Sequence, residues 1–251
     1  MMKKFIRRDP QHRDQVPFLQ LLPNLVTLSG MCLGLTSIRF AMDGRYDGAA
    51  LLILLAALMD GLDGLLARRL NATSNFGAEL DSLSDFLCFG VAPGLLVYRY
   101  FLEPSNNFGW IFVLVFAAAC CLRLARFNVM RDENEAQTSH HFLGVPAPAG
   151  AMLGLLPLFL ALSGIVDLRA TPHLVAFWIG LVGLLMISRI KTFSPKAMRI
   201  PRALVGLMMF ATVAAVGLMF TRIWLLLVTL DLIYLAMLVH GALKARRQGP
   251  V

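Results

Sequence analysis

Charge is scarce in this sequence. Only 15% of its 251 residues are Asp, Glu, Lys or Arg, whereas a soluble domain carries about a quarter, and 58% are hydrophobic. That balance excludes an ordinary water-soluble enzyme and suits a chain divided into segments of about 20 residues, the span of a bilayer core. Cysteine is also sparse. Cys32, Cys88, Cys120 and Cys121 all fall in apolar runs, at no spacing that ligates metal or builds a disulfide framework, so they read as small packing residues. Internal repeats and low-complexity segments are missing. No cleavable signal is expected, because the first apolar run follows a polar, basic leader and is too long for a signal-peptide core.

What the chain has instead is a series of long apolar runs. They predict an all-α fold, a polytopic bundle of about eight transmembrane helices near 21–42, 47–69, 76–102, 108–130, 146–166, 172–190, 202–221 and 223–243. Short connectors rich in Gly, Pro, Asn and Asp, such as "MDGRYDG" and "LNATSN", separate them, so consecutive helices should be antiparallel neighbours. The organisation expected is a basic leader (1–20), one transmembrane catalytic domain (21–243) and a tail (244–251).

Most of the 23 Lys and Arg residues cluster on one predicted side. They lie in the leader (Lys3, Lys4, Arg7, Arg8, Arg13), at Arg68–Arg69, at Arg123, Arg126 and Arg131, between Arg189 and Arg202, and in the tail. Cytoplasmic loops carry such an excess. Both termini and the active site are therefore expected to face the cytoplasm, in an integral protein of the cell inner membrane. The net charge of +8 then belongs to a membrane surface and not to a nucleic-acid partner.

Against this background the stretch "LMDGLDGLLARRLNATSNFGAELDSLSDF" is anomalous, with four aspartates at the facing ends of two helices joined by a tight turn. At about 100° per residue, Asp60, Asp63, Gly64 and Ala67 share one arc of the second helix, with Arg68 at its edge. Gly77, Asp81 and Asp85 form a stripe on the third, and the two acids are expected in its first turns, where the macrodipole favours them. Each aspartate in a transmembrane helix costs roughly 2.5–3.5 kcal/mol on insertion scales, so four cost on the order of 10 kcal/mol before repulsion. One arginine cannot neutralise them, but divalent cations that favour clustered carboxylate oxygens can. A pair of such ions at a water-facing cleft suits phosphoryl transfer and hence a phosphate-bearing substrate. The plainer reading is a set of solvated helix-end acids paired with Arg68 and Arg69.

The pattern D-G-x2-A-R-x8-G-x3-D-x3-D, with Asp60 three residues upstream, resembles the signature of the CDP-alcohol phosphatidyltransferase family at every position. The resemblance implies displacement of CMP from a CDP-linked lipid by an acceptor hydroxyl. It implies that Asp60, Asp63 and Asp81 ligate metal, two Mg²⁺ or Mn²⁺ ions per site, while Asp85 shares the metal site and acts as general base. Gly64, Ala67 and Gly77 would let the nucleotide approach, Arg68 would contact phosphate, and Asn24 and Thr27 in "PNLVTLSG" would help hold cytidine. A homodimer among membrane lipids is implied as well.

Outside the signature, "FGAELDSLSDFLCFGVAP", "LRLARFNV", "FLGVPAPAGA" and "SRIKTF" are similar to the phosphatidylserine synthase branch of that family, which uses CDP-diacylglycerol and L-serine. Serine needs an anion-binding group for its carboxylate. Arg123, Arg126 and Asn128 offer one for the acceptor or for lipid phosphate, although basic residues near a span end also serve as membrane anchors. Arg189 and Lys191 divide evenly between phosphate binding and a cytoplasmic loop. His140 and His141 read as a solvated connector, and Pro146 and Pro148 as the start of a helix. Glycerol 3-phosphate, inositol phosphate and choline remain rival acceptors. A divalent-cation carrier would instead require acids near span centres and on both sides of the membrane.

Overall fold

The structure, a computed structural model, describes residues 18–103, 108–134, 144–188 and 205–247. Its described residues form eight long helices: α1 (Phe18–Met42), α2 (Tyr46–Arg69), α3 (Asn75–Leu102), α4 (Phe108–Asn134), α5 (Ala147–Leu162), α6 (Pro172–Ile187), α7 (Val205–Thr221) and α8 (Ile223–Arg247). Their bounds follow the expected apolar runs. Five stretches are long and apolar enough to cross a membrane: Leu21–Met42, Tyr46–Arg69, Asn75–Leu102, Phe108–Met130 and Ile223–Gly241. Leu58 and Leu83 lie about two-thirds exposed on such helices, as side chains facing lipid do, and the chain is an integral membrane protein. The apolar helices Ala147–Leu162, Pro172–Ile187 and Ala211–Thr221 are shorter.

The packing around α3 positions everything that follows. Ser74 caps its start, its Oγ accepting from the Gly77 amide at 3.0 Å, and Asn71, with φ of 49°, turns the chain out of α2. Between Phe86 and Val91 the helix widens, the Ala92 amide reaching back to the Leu87 carbonyl, just before Pro93 removes a donor from the ladder. Here α3 is wedged between two neighbours. A Cβ on Gly34 of α1 would stand 2.7 Å from Cys88 Sγ, and one on Gly90 would stand 3.1 Å from Cys120 Cβ of α4. The Ser84 hydroxyl donates to the Thr27 carbonyl at 3.3 Å, and Cys88 Sγ to that of Gly30 at 3.4 Å. All four cysteines are free, and Cys88 and Cys120 are buried, which agrees with their reading as packing residues.

Consecutive helices are neighbours, as expected, for α1 and α2, for α3 and α4 and for α7 and α8, and helices remote in sequence pack on one another as well. α4 packs extensively on α6, and α5 on α8. Small residues account for the first pairing: a Cβ on Gly180 would meet Phe112 at 2.6 Å, and one on Gly183 would meet the Phe116 backbone at 3.1 Å, so a side chain at either position would push the helices apart. In the second, Phe159 stacks on Trp224 with ring centroids 6.0 Å apart. α6 is also tied to α5 by the Trp178 indole, which donates to the Leu153 carbonyl at 2.7 Å. Pro146 and Pro148 flank the first residue of α5, as expected. The leader up to Pro17, His140, His141, Arg189, Lys191 and Pro195 lie outside the described residues.

Candidate active site

The helix hairpin brings the acids together. Asp60 and Asp63 lie toward the end of α2, and one carboxylate oxygen from each of Asp60, Asp63 and Asp81 falls within 4.8 Å of the others. Asp85 sits beside Asp60 and lines the same small pit, together with Thr27, Gly30, Ala56 and Ser84. Asp81 and Asp85 are not in the first turn of α3, which holds no acid; they lie about two and three turns in, because the helix starts at Asn75. The macrodipole therefore does little for them, since its effect fades within a turn. Desolvation and crowding must be met otherwise.

Two contacts meet part of that cost. Asp63 is buried, and the Thr27 hydroxyl, itself buried, donates to its Oδ2 at 2.6 Å. The Pro23 carbonyl stands 3.1 Å from the same hydroxyl, but a hydroxyl has one proton, and the charged acceptor at the shorter distance is the stronger partner. From α4, the Arg123 guanidinium is near enough to Asp60 and Asp85 to interact electrostatically with both. Among the described residues, Arg123 is the cation beside Asp60 and Asp85. The donor set is all hard oxygen, and oxygens up to about 4–5 Å apart are what an ion with 2.0–2.6 Å bonds spans. The pit, about 10 Å³, is the size of one ion or water. The cluster of Asp60, Asp63 and Asp81 can hold a divalent metal.

A groove of about 410 Å³ opens from the pit, sharing Thr27, Asp63 and Asp81 with it. Asn24, Gly64, Ala67, Arg68 and Gly77 all line this groove, so the residues expected at the nucleotide share one surface. Two glycines in it differ. A Cβ on Gly77 would stand 2.9 Å from Asn24 Oδ1, whereas one on Gly64 would meet nothing within 4 Å and would project into open space.

The three residues expected around the acceptor do not converge. Arg126 donates to the Ile187 carbonyl at 3.1 Å, satisfying the last turn of α6 with a cation at the favourable end of its dipole. The Asn128 amide pairs with Ser82 Oγ at 3.0 Å and reaches Glu79 Oε2 at 3.5 Å, on the flank of α3. Only Arg123 reaches toward the aspartates. Sequence reasoning also passed over α8, where Asp231 is buried and Tyr234 lies near Arg123. The available signal was a single acid in the apolar run "WLLLVTLDLIYLAML".

The sequence profile of the CDP-alcohol phosphatidyltransferase family matches residues 20–188. The chain belongs to that family. Among its relatives in the family, it is 39% identical over 219 residues to the CDP-diacylglycerol–serine O-phosphatidyltransferase of Mycobacterium leprae, covering 84% of this chain and 72% of that one. The protein of the same name from Helicobacter pylori is 38% identical over 173 residues (69% of this chain, 72% of the relative). The one from Bacillus subtilis is 32% identical over 175 residues (69% and 90%). The family profile contains every residue of the aspartate cluster and of the groove, and it ends before α7 and α8.

Proposed function

We propose that this phosphatidyltransferase makes phosphatidylserine, transferring the phosphatidyl group of CDP-diacylglycerol to the hydroxyl of L-serine with release of CMP. The observation that carries this reading is the meeting of Asp60, Asp63, Asp81 and Asp85 at the head of the groove, in a chain whose relatives bear the name of that activity. Asp60, Asp63 and Asp81 hold divalent ions, two Mg²⁺ or Mn²⁺ with Asp85 sharing the site. When bound, the ions neutralise the diphosphate and the charge that develops on phosphorus. Asn24 and Thr27 orient the cytidine. Gly64, Ala67 and Gly77 let it approach the helices, and Arg68 holds phosphate.

Asp85 takes the proton from the serine hydroxyl as its oxygen attacks the phosphorus that bears diacylglycerol. The bond from that phosphorus to the oxygen of the CMP phosphate breaks, and CMP leaves with the electron pair. Arg123, at the edge of the pit, stabilises negative charge there. We read the chain as eight spans in one catalytic domain, with both termini and the site facing the cytoplasm, and as a homodimer.

The test is CMP release from CDP-diacylglycerol by purified protein given L-serine, glycerol 3-phosphate, inositol phosphate or choline in turn. The reading predicts turnover with serine well above the others. Equal turnover with all four overturns the acceptor, and no CMP from any overturns the chemistry.

A further inference from the structure

Of the four buried side-chain polar atoms that lack a hydrogen-bond partner among the described residues, one, Arg99 Nε, lies near the opposite end of α3, and three lie on α4 and α8. These three are Arg123 Nε, the Tyr234 hydroxyl and Asp231 Oδ2. Buried donors are almost always satisfied, because an unmade bond costs the full desolvation of the group. Two of the three are neighbours, since the Arg123 guanidinium and the Tyr234 hydroxyl interact electrostatically. They come from helices far apart in sequence. Arg123 lies on α4 one turn beyond Cys120, which packs on Gly90 of the widened stretch of α3. Tyr234 lies on the inward face of α8, in register with buried Val228 and Asp231.

The Arg123 guanidinium interacts electrostatically with Asp60 and Asp85 as well as with Tyr234. An arginine Nε–H can only donate, and a phenol donates readily. Among the described residues neither group has a hydrogen-bond partner, so a single anionic acceptor reached by both would satisfy both. A carboxylate has the two oxygens this requires. Phosphate is already provided for in the groove, at Arg68 and at the aspartates beside it.

We propose that Tyr234 and Arg123 together form the anion-binding wall of the acceptor subsite, gripping the carboxylate of the amino-acid acceptor so that its hydroxyl is presented to Asp85. This assigns a specificity-determining residue to the last helix, beyond the segment that the family profile matches. The inference rests on the reading of serine as acceptor.

The experiment is steady-state CMP release by full-length protein, unaltered and as Tyr234→Phe, with L-serine and CDP-diacylglycerol varied separately and with L-serinamide, which lacks the carboxylate, as a second acceptor. Loss of a hydrogen bond to a charged group should raise the serine KM roughly tenfold to a hundredfold. The KM for CDP-diacylglycerol, which also reports that the variant is folded, should stay within about twofold, and kcat should change far less than KM. The preference for serine over serinamide should shrink by roughly tenfold or more, and Arg123→Lys should shift it in the same direction. An unchanged serine KM in Tyr234→Phe overturns the inference. So does a rise confined to CDP-diacylglycerol, which would give the pair to lipid phosphate. Absence of serine turnover by the unaltered protein overturns the acceptor assignment itself and this inference with it.

Discussion

The two ends of the bundle treat charge in opposite ways. At the end opposite the aspartates, where α1 leads into α2 and α3 finishes, ionic groups pair locally, exposed or, for Arg99, half-buried. Arg39 meets Asp43 at 3.9 Å, Arg99 pairs with Glu103 one turn on, and Arg169 meets Asp167 at 3.0 Å. The hydrogen bond from Arg169 holds the Asp167 carboxyl below its ordinary value. Aromatic residues surround them: Tyr46 packs edge-on against Tyr100 at 4.8 Å, Tyr98 against Trp110 at 5.1 Å, and Arg45 lies over Phe40 at 4.0 Å. That is how a helix end settles at a membrane interface. At the other end, acids from two helices are drawn toward one another and into the bundle, with Arg123 beside them. An end built only for solvation would resemble the first. Convergence at a stability cost is the mark of a site.

Substitutions at the two ends should separate accordingly. The largest effect belongs to Asp85→Asn: as the proposed general base it should lose turnover by roughly 10²–10⁴-fold while binding of a CDP-headgroup analogue, followed by calorimetry, changes only severalfold. Intact catalysis in that variant would remove Asp85 as the base. Thr27→Val takes the buried donor from Asp63 Oδ2, and at about 1.5–3 kcal/mol for a bond to a charged group kcat/KM should fall roughly tenfold to a hundredfold. Gly64→Ala tests the groove. The added methyl meets no protein atom, so unfolding in detergent should be unchanged while the KM for CDP-diacylglycerol rises severalfold; a shifted unfolding midpoint with normal KM would contradict the groove's role.

Smaller effects should follow away from the pit. Arg126→Ala removes a helix-end contact worth about 1 kcal/mol and should lower thermal stability by that order, with a smaller loss of turnover than Arg123→Ala. Glu103→Gln at the opposite end should change stability by no more than about 1 kcal/mol and leave CMP release at the unaltered rate. A large activity loss there would erase the distinction between the ends.

The site was far more legible in the sequence than the packing was. Helical periodicity alone places Asp60 and Asp63 on one arc and Asp81 and Asp85 on one stripe, and a short turn leaves them little choice but to meet. Local geometry carries that information. The pairing of α4 with α6 is set by which glycines face Phe112 and Phe116 across the bundle, and a run apolar on all sides does not reveal its neighbours. For the same reason Arg123, Arg126 and Asn128, grouped by spacing, part company. Arg126 serves the end of α6 and Asn128 the flank of α3, because each answers to a helix remote in sequence. Tyr234 was hidden most completely. A tyrosine in an apolar helix is unremarkable until its hydroxyl is found buried, without a partner, beside Arg123.

The claim that everything else depends on is that the converging carboxylates hold divalent ions which in turn hold the diphosphate. Calorimetric binding of a CDP-headgroup analogue, with Mn²⁺ present and after chelation, tests it in the unaltered protein and in Asp60→Asn and Asp81→Asn. The account predicts binding that needs the ion and is weakened strongly in both variants. Equal affinity with and without the ion, or in the variants and the unaltered protein, would contradict it.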